Sequence, residues 1–426
     1  MAGPVPHRIE ADYLLETPDD PQRTAETIAG EQSSGTFVRV PGETAELRER
    51  SAARVVSLEV LDEFTGTRSL PSVRPTPASE RLVRARLTLS WPVSVVGASL
   101  PNLMATVAGN LFELRSVSGL RILDIRLPQA FADAYPGPKF GVEGTRRLAG
   151  VHGRPLIGTI IKPSVGFSPE ETAALVAKLC DAGIDFIKDD ELQADGSDCP
   201  FDDRVAAVMR EINASADRTG KKPMYAFNLT GDVEQMKRRH DVLLQHGATC
   251  LMASLNSVGL AGMIELAKFS QLPIHAHRNG WGYLSRYPML GWSYVAWSKI
   301  WRLAGADHMH VNGLANKFSE PDDSVVEAAQ SCRTPMFDSK PCTVMPVFSS
   351  GQTVRQAPAT YAVMGSPDLL VTAGGGILAH ADGPGAGVSA LREAWEAAVQ
   401  GVPLADYART HPALQAALWS TPDATK

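Results

Sequence analysis

The sequence has few of the features that would place a chain outside the cell or in a membrane. Five cysteines (Cys180, Cys199, Cys250, Cys332, Cys342) are scattered, odd in number and without a CxxC pair. A disulfide framework or structural zinc site is disfavoured, and a reducing cytoplasm is expected. No apolar run reaches the ~20 residues of a membrane span. The opening MAGPVPHRIEADYLLE has no signal-peptide core. Positive charge is not in excess: 41 Lys and Arg against 47 Asp and Glu leave a formal net charge of −6. Bulk attraction to nucleic acid or to an anionic membrane is thereby disfavoured, although a local basic pocket survives the average. No internal repeat or low-complexity tail was found. The expectation is a soluble, cytoplasmic protein without nucleic-acid or membrane partners.

What is present is 426 residues, 44% of them hydrophobic and 21% charged, enough for a large core and for more than one small domain. Residues 1–136 carry short β-rich pieces at Arg8–Glu16, Thr36–Val40, Ala53–Leu61, Leu82–Ser90 and Gly119–Arg126. Helical stretches at Asp20–Ala29 and Leu100–Val107 and a Thr/Ser/Pro-rich loop at Thr65–Ser79 lie between them, as in a mixed α+β domain. After a Pro/Gly cluster (AYPGPK) the pattern changes. Over residues 137–426 an apolar strand is followed by a helical stretch, eight times. The strands begin at Pro155, Ile184, Met224, Cys250, Pro273, Ala306, Cys342 and Leu369. Pro169–Asp181 has a helix-entry signature: Ser168 as N-cap, Pro169 at the first position, then Glu170 and Glu171. Helices are also expected at Asp202–Ala214, Asp232–Gln245, Leu260–Phe269, Leu290–Leu303, Asp322–Ser331, Arg355–Met364 and Val388–Val399. Parallel strands need crossover helices, and eight regular units favour a (β/α)₈ barrel over an open doubly wound sheet.

A barrel collects its chemistry at the C-terminal ends of its strands. Those ends carry Lys162; Lys188, Asp190 and Glu191; Asn228; Asn256; His277 and Arg278; His308 and His310; Ser349 and Ser350; and Gly374–Gly376. Lys188-Asp189-Asp190-Glu191 is the densest cluster. Strand alternation puts Lys188 and Asp190 on one face, and two carboxylates suit Mg²⁺. A lysine of lowered pKa can react with CO₂ and become a third, anionic oxygen ligand. An ion pair at a strand end explains the same residues equally well. Lys162 could serve as acid or base, or be a solvated loop residue. His308 and His310 share a face and could ligate a metal or hydrogen-bond to substrate or backbone. The Gly triplet and Ser349-Ser350-Gly351 sit where barrels commonly bind phosphate. Asn316-Lys317-Phe318 reads as a mobile loop able to bring a cation over a bound substrate.

Together these segments resemble the large subunit of ribulose-bisphosphate carboxylase (RuBisCO). The motifs are GIDFIKDDE, GTIIKP, HAHRN, GADHMHVNGLANKF, MPVFSSG and AGGG, in family order, with GEQSSGTF and AGNLF in the first domain. The resemblance implies a ferredoxin-like α+β domain ahead of a TIM barrel, and a homodimer or assembly of dimers. It implies Mg²⁺ held by Asp190, Glu191 and a carbamate of CO₂ on Lys188. Lys162 would be the proton-transfer lysine, His277 would stand beside the metal site and Lys317 would be the closing-loop lysine. Arg278, His310, Ser349, Gly351, Gly374 and Gly375 would serve phosphate or substrate. Glu31, Thr36 and Asn110 would be donated to the partner's active site.

The departures point to the RuBisCO-like branch, which keeps enolisation without CO₂ fixation. Ser164, Trp281 and Ser319 stand where carboxylases have charged or basic groups, and Ser350 and Ala373 also depart from the pattern. Members act on phosphorylated ketoses or keto sugar acids. Retention of Lys317 suits a substrate that carries or transfers a carboxylate. The expected reaction is transcarboxylation and hydrolysis of 3-oxo-isoapionate 4-phosphate, a C–C bond cleavage in carbohydrate catabolism. The alternatives are a 5-methylthioribulose-1-phosphate isomerase or a diketo-methylthio sugar phosphate enolase of methionine salvage. A true carboxylase and a non-catalytic regulatory homologue rank below these.

Overall fold

The computed structural model describes residues 8–35, 40–73 and 79–419. Two compact units emerge. One comprises the described residues up to Gly137 with Gly280–Ala304 and Met336–Pro341; the other holds Pro138–Asn279, Gly305–Pro335 and the chain from Cys342 on.

In the first unit, β1 (Arg8–Thr17), β2 (Arg54–Gly66), β3 (Glu80–Pro92) and β4 (Gly119–Arg126) form antiparallel pairs. Alternation decides their faces: Ile9, Ala11, Tyr13 and Leu15 are all fully buried. Glu16 is also fully buried, held by the Ser69 N–H and hydroxyl, both at 2.8 Å, and by Arg84 at 3.0 Å.

The second unit is a closed barrel of eight parallel strands. These are β5 (Leu156–Ile160), β6 (Phe186–Lys188), β7 (Met224–Asn228), β8 (Cys250–Ser254) and β9 (Ile274–His277), then β11 (His308–His310), β12 (Met345–Phe348) and β13 (Leu370–Thr372). Between β9 and β11 the chain contributes β10 (Leu290–Trp292), which pairs parallel with β4 of the first unit. All eight expected barrel strands are present. Most of their residues are apolar because side chains are buried on both faces of a parallel sheet, and the exceptions, such as Lys188, His275, His308 and His310, are buried too. The interior packs Leu156, Phe186, Met224, Met252, Met345, Val347 and Leu370. Gly158 makes room for Phe186, whose Cβ would lie 3.1 Å from any β-carbon there. Ser168 and Glu171 close a capping box on the helix Pro169–Asp181, with hydrogen bonds of 3.2 and 2.9 Å.

One expected helix needs correction. Leu290–Leu303 is not helical throughout: Leu290–Trp292 is strand, and the helix runs Tyr294–Ala304. Gly291 has φ 90°, and a β-carbon there would fall 1.9 Å from the Leu284 carbonyl oxygen, so the helix cannot include it. Most of the strand expected at Thr36–Val40 lies outside the described residues. In the expected loop at Thr65–Ser79, β2 extends to Gly66 and residues 74–78 lie outside them. No helix among the described residues is long and apolar enough to cross a membrane.

The N-terminal end of the barrel is clamped by Asp185, which is fully buried before β6. It meets Arg154 at 2.6 Å and Lys221 at 2.5 Å and accepts the Ile157 N–H at 2.8 Å. Burial pushes its pKa up, but Arg154 and Lys221 outweigh burial and hold it below the usual carboxylate value. The ionised form therefore stabilises the fold above the unfolded pKa near ~3.9, and that stabilisation is lost as pH falls below it. Asp185→Asn is expected to lose roughly 3–5 kcal/mol at pH 7 by leaving its cations unpaired. Chemical denaturation between pH 3 and 7 should show a flatter acid limb in the variant. An unchanged limb would exclude this clamp.

Candidate active site

Strand β6 ends at Lys188, and the next three residues turn across the barrel mouth. Asp189 faces away from the mouth and is almost fully buried. It accepts from the Tyr225 hydroxyl at 2.6 Å and the Asn228 N–H at 2.9 Å, and pairs with fully buried Arg204 at 3.2 Å. Arg204 in turn holds the Cys199 and Ala194 carbonyls at 2.9 and 2.7 Å. Asn228 Nδ2 donates to the Glu191 carbonyl at 3.2 Å. The turn that presents Asp190 and Glu191 is thus fixed from behind.

Lys188 is 1% exposed, and its Nζ donates to the Asp189 carbonyl at 2.6 Å. Glu191 Oε2 lies 3.6 Å away. Burial lowers the lysine's pKa against the opposing pull of Glu191, Asp190 and Asp189. The direct partner of Asp190 is Lys162, at 2.6 Å. Burial alone would raise the Asp190 pKa; the Lys162 hydrogen bond and the Leu192 N–H bring it below the usual value. Lys162 also donates to Ser164 at 2.7 Å.

His277 ends β9 with its Nε2 3.5 Å from Glu191 Oε2. Its Nδ1 accepts the Asn279 N–H at 3.2 Å, which leaves the proton of the neutral ring on Nε2. Burial, then the Lys188 charge, push its pKa down to about 4. Lys162, Lys188, Asp190, Glu191 and His277 therefore form one contiguous group.

A second group runs through the barrel. His310 Nδ1 lies 3.1 Å from Ser349 Oγ, and its Nε2 lies 2.7 Å from His275 Nε2. His275 Nδ1 is 3.3 Å from His308 Nδ1, and His308 Nε2 is 2.8 Å from Thr145 Oγ1. All three rings are buried and their pKa values are lowered, that of His308 to about 3. The contacts that His308 and His310 make here are with the side chains of His275, Ser349 and Thr145, rather than with the backbone. His275 was missed, although the alternation His275-Ala-His277 carries the same signal as His308-Met-His310.

The loops after β11, β12 and β13 interlock through Gln352. Its side chain fills the space a β-carbon on Gly313 would need, at 2.1 Å, and donates to the Leu314 carbonyl at 3.2 Å. A β-carbon on Gly376 would lie 2.4 Å from the Gln352 carbonyl oxygen. Gly351 adopts φ 90°, and Gly374 lies beside the stem of Lys162. Lys317 is exposed; its N–H donates to the Ser350 carbonyl at 3.1 Å, and its ammonium rests 5.2 Å above the Phe318 ring. Arg278 pairs with Glu320 at 2.6 Å.

In the other unit, Glu31 ends the helix Pro21–Glu31 and Asn110 begins a short turn of helix, Asn110–Glu113. These segments adjoin, since a β-carbon on Gly109 would lie 3.1 Å from the Gln32 side chain. Thr36 lies outside the described residues.

Residues 15–131 match the model of the ribulose bisphosphate carboxylase large chain N-terminal domain, and 141–420 that of its catalytic domain. The chain belongs to the RuBisCO large-chain family. Within it, the chain is 59% identical to a 3-oxo-isoapionate-4-phosphate transcarboxylase/hydrolase of Xanthobacter autotrophicus, covering 96% of this chain and 98% of that one. It is 45% identical to a 3-oxo-isoapionate-4-phosphate decarboxylase of Rhizobium rhizogenes, covering 96% and 97%. The crystal structure of a rubisco-like protein from Burkholderia fungorum superposes with a TM-score of 0.91 at 46% identity, covering 98% and 100%. A dimeric archaeal Rubisco from Hyperthermus butylicus gives 0.84 at 29%, covering 98% and 97%.

Removing the Tyr225 hydroxyl tests the support behind this RuBisCO-family site. Tyr225→Phe should cost roughly 1.5–3 kcal/mol in urea denaturation, the range for a hydrogen bond to a charged group. A loss under about 0.5 kcal/mol would show that Asp189 does not depend on it.

Proposed function

We propose that this protein is an enolising enzyme that cleaves a C–C bond of 3-oxo-isoapionate 4-phosphate. The observation that carries the reading is the 59% identity, over nearly the whole of both chains, to the enzyme named for that substrate. The convergence of Lys162, Lys188, Asp190, Glu191 and His277 supports it, since an idle homologue has no need of such a group.

The donor set fits Mg²⁺. Among the described residues no three His, Cys, Asp or Glu side chains are placed to hold an ion. Asp190 and Glu191 supply two carboxylates, and a third oxygen ligand requires Lys188. Burial favours its neutral amine, which is the form that adds CO₂ to give a carbamate and release a proton. When bound, the ion would supply positive charge for oxygens that become negative during enolisation. Lys162, on Asp190, is placed to hold or move a proton at the substrate carbon. His277 Nε2 stands 3.5 Å from Glu191 Oε2, close enough to help orient that carboxylate. Ser349, Gly351, Gly374 and Gly375 receive the phosphate, and Lys317 closes over the substrate carboxylate.

Hydrolytic cleavage of a β-keto acid yields two carboxylic acids, whereas decarboxylation yields a ketone and CO₂. The wild type should give two acids with CO₂ below a tenth of turnover. Stoichiometric CO₂ would favour the decarboxylase alternative, supported by the 45% identity to the Rhizobium enzyme. No turnover of this substrate would refute the reading. Preincubation with bicarbonate and Mg²⁺ should raise activity, and Lys188→Ala should abolish both activity and Mg²⁺ binding. Full activity in excess chelator would sink the metal assignment.

We further propose a homodimer in which Glu31 and Asn110 of one subunit serve the barrel of its partner. Mixing inactive Glu31→Gln and Lys188→Ala chains should then restore part of the activity. Its absence in verified mixed dimers would count against shared sites.

A further inference from the structure

The barrel mouth contains an anion of its own. Arg278 follows β9, and Glu320 lies just before the helix Asp322–Arg333. Arg278 Nη2 meets Glu320 Oε2 at 2.6 Å, and Asn312 Nδ2 donates to the same oxygen at 2.5 Å. Ser324 Oγ donates to Oε1 at 3.0 Å. The Arg278 and Glu320 side chains keep only 8% and 14% of their exposure. The frame around them is tied down. Asn312 has φ 67°, its Oδ1 accepts from Ser350 Oγ at 2.7 Å and its carbonyl accepts the Ser349 N–H at 3.1 Å. Asn316 Nδ2 donates to the Glu320 carbonyl at 3.0 Å. A guanidinium, an amide and a hydroxyl on a largely dehydrated carboxylate are the donors an anionic ligand group would otherwise receive.

We propose that Glu320 is a specificity-determining residue whose carboxylate occupies the anion position beside Arg278, so that the barrel accepts substrates with one phosphate and refuses a second. The proposal rests on the phosphorylated keto-acid reading above and deepens it. The single phosphate goes to the end formed by the loops after β12 and β13. At the end formed by β9 and β11, a second phosphate would meet Arg278 already neutralised and a fixed negative charge a few ångströms away. Like charges in a low-dielectric site repel strongly, and the phosphate would be left short of donors. A bisphosphate therefore gains little over a monophosphate. If Glu320 were only a latch holding the loop, its loss would affect both ligands alike.

The test is calorimetric binding of ribulose 5-phosphate and ribulose 1,5-bisphosphate to protein preincubated with Mg²⁺ and bicarbonate. In the wild type the bisphosphate should bind less than fivefold more tightly than the monophosphate. In Glu320→Gln that preference should rise at least tenfold. A wild-type preference of fivefold or more, a smaller rise in a folded variant, or no monophosphate binding at 10 mM would each overturn the proposal. The wild-type comparison needs no variant, so it decides the matter if Glu320→Gln does not fold. Binding needs no turnover, so failure of the reaction assigned above would be seen separately, in the product assay.

Discussion

A lysine buried at the end of a strand is the constraint on which the rest of the barrel mouth depends. Lys188 has lost nearly all its water, and its nearest carboxylate stands off at 3.6 Å. An ammonium in that position is costly. Everything around it manages that cost without removing it. Asp189, the carboxylate closest in sequence, is turned away and held by Arg204 and Tyr225. Asp190 is engaged by Lys162. What remains is a lysine that burial makes readier than usual to give up its proton, against the pull of the carboxylates around it.

The architecture behind this was open to reading from the sequence in some places and closed in others. The eight barrel strands were legible as short, largely apolar runs in regular alternation with helical stretches, one of which opens with the capping box at Ser168. The strand Leu290–Trp292 was not, because it stands outside that alternation and its partner is remote in sequence, on β4. The grouping of Lys162 with Asp190 needed two strand ends to be neighbours, which the parallel pairing of β5 with β6 supplies. Tyr225 and Arg204 gave no local signal of their role, since an aromatic in a strand and a cation in a helix are ordinary residues until folded against Asp189. Glu320 was hidden too. An acid just before a helix reads as a charge complementing the helix dipole, and only the fold sets it against Arg278.

The interlocked loops set a different limit. Gly313 and Gly376 leave no room for a side chain against Gln352, so the ends of β11, β12 and β13 hold one arrangement together. Lys317 keeps an exposed side chain at the edge of this frame, while its backbone N–H is held by the Ser350 carbonyl.

The row of imidazoles has its own consequence. A neutral ring carries one N–H, so between Ser349 and Thr145 only two proton orders satisfy every contact, and each is the reverse of the other. While the Thr145 hydroxyl donates to the Gly141 carbonyl, it accepts from His308, and the order runs inward from Ser349. Ser349 then has its hydrogen spent on His310 and can only accept from what enters the mouth. An anion that demanded a donor from Ser349 would reverse the whole file and turn the hydroxyl at the far end of the barrel. The two proton orders differ in the positions of five hydrogens: those of the Ser349 and Thr145 hydroxyls and of the three rings between them.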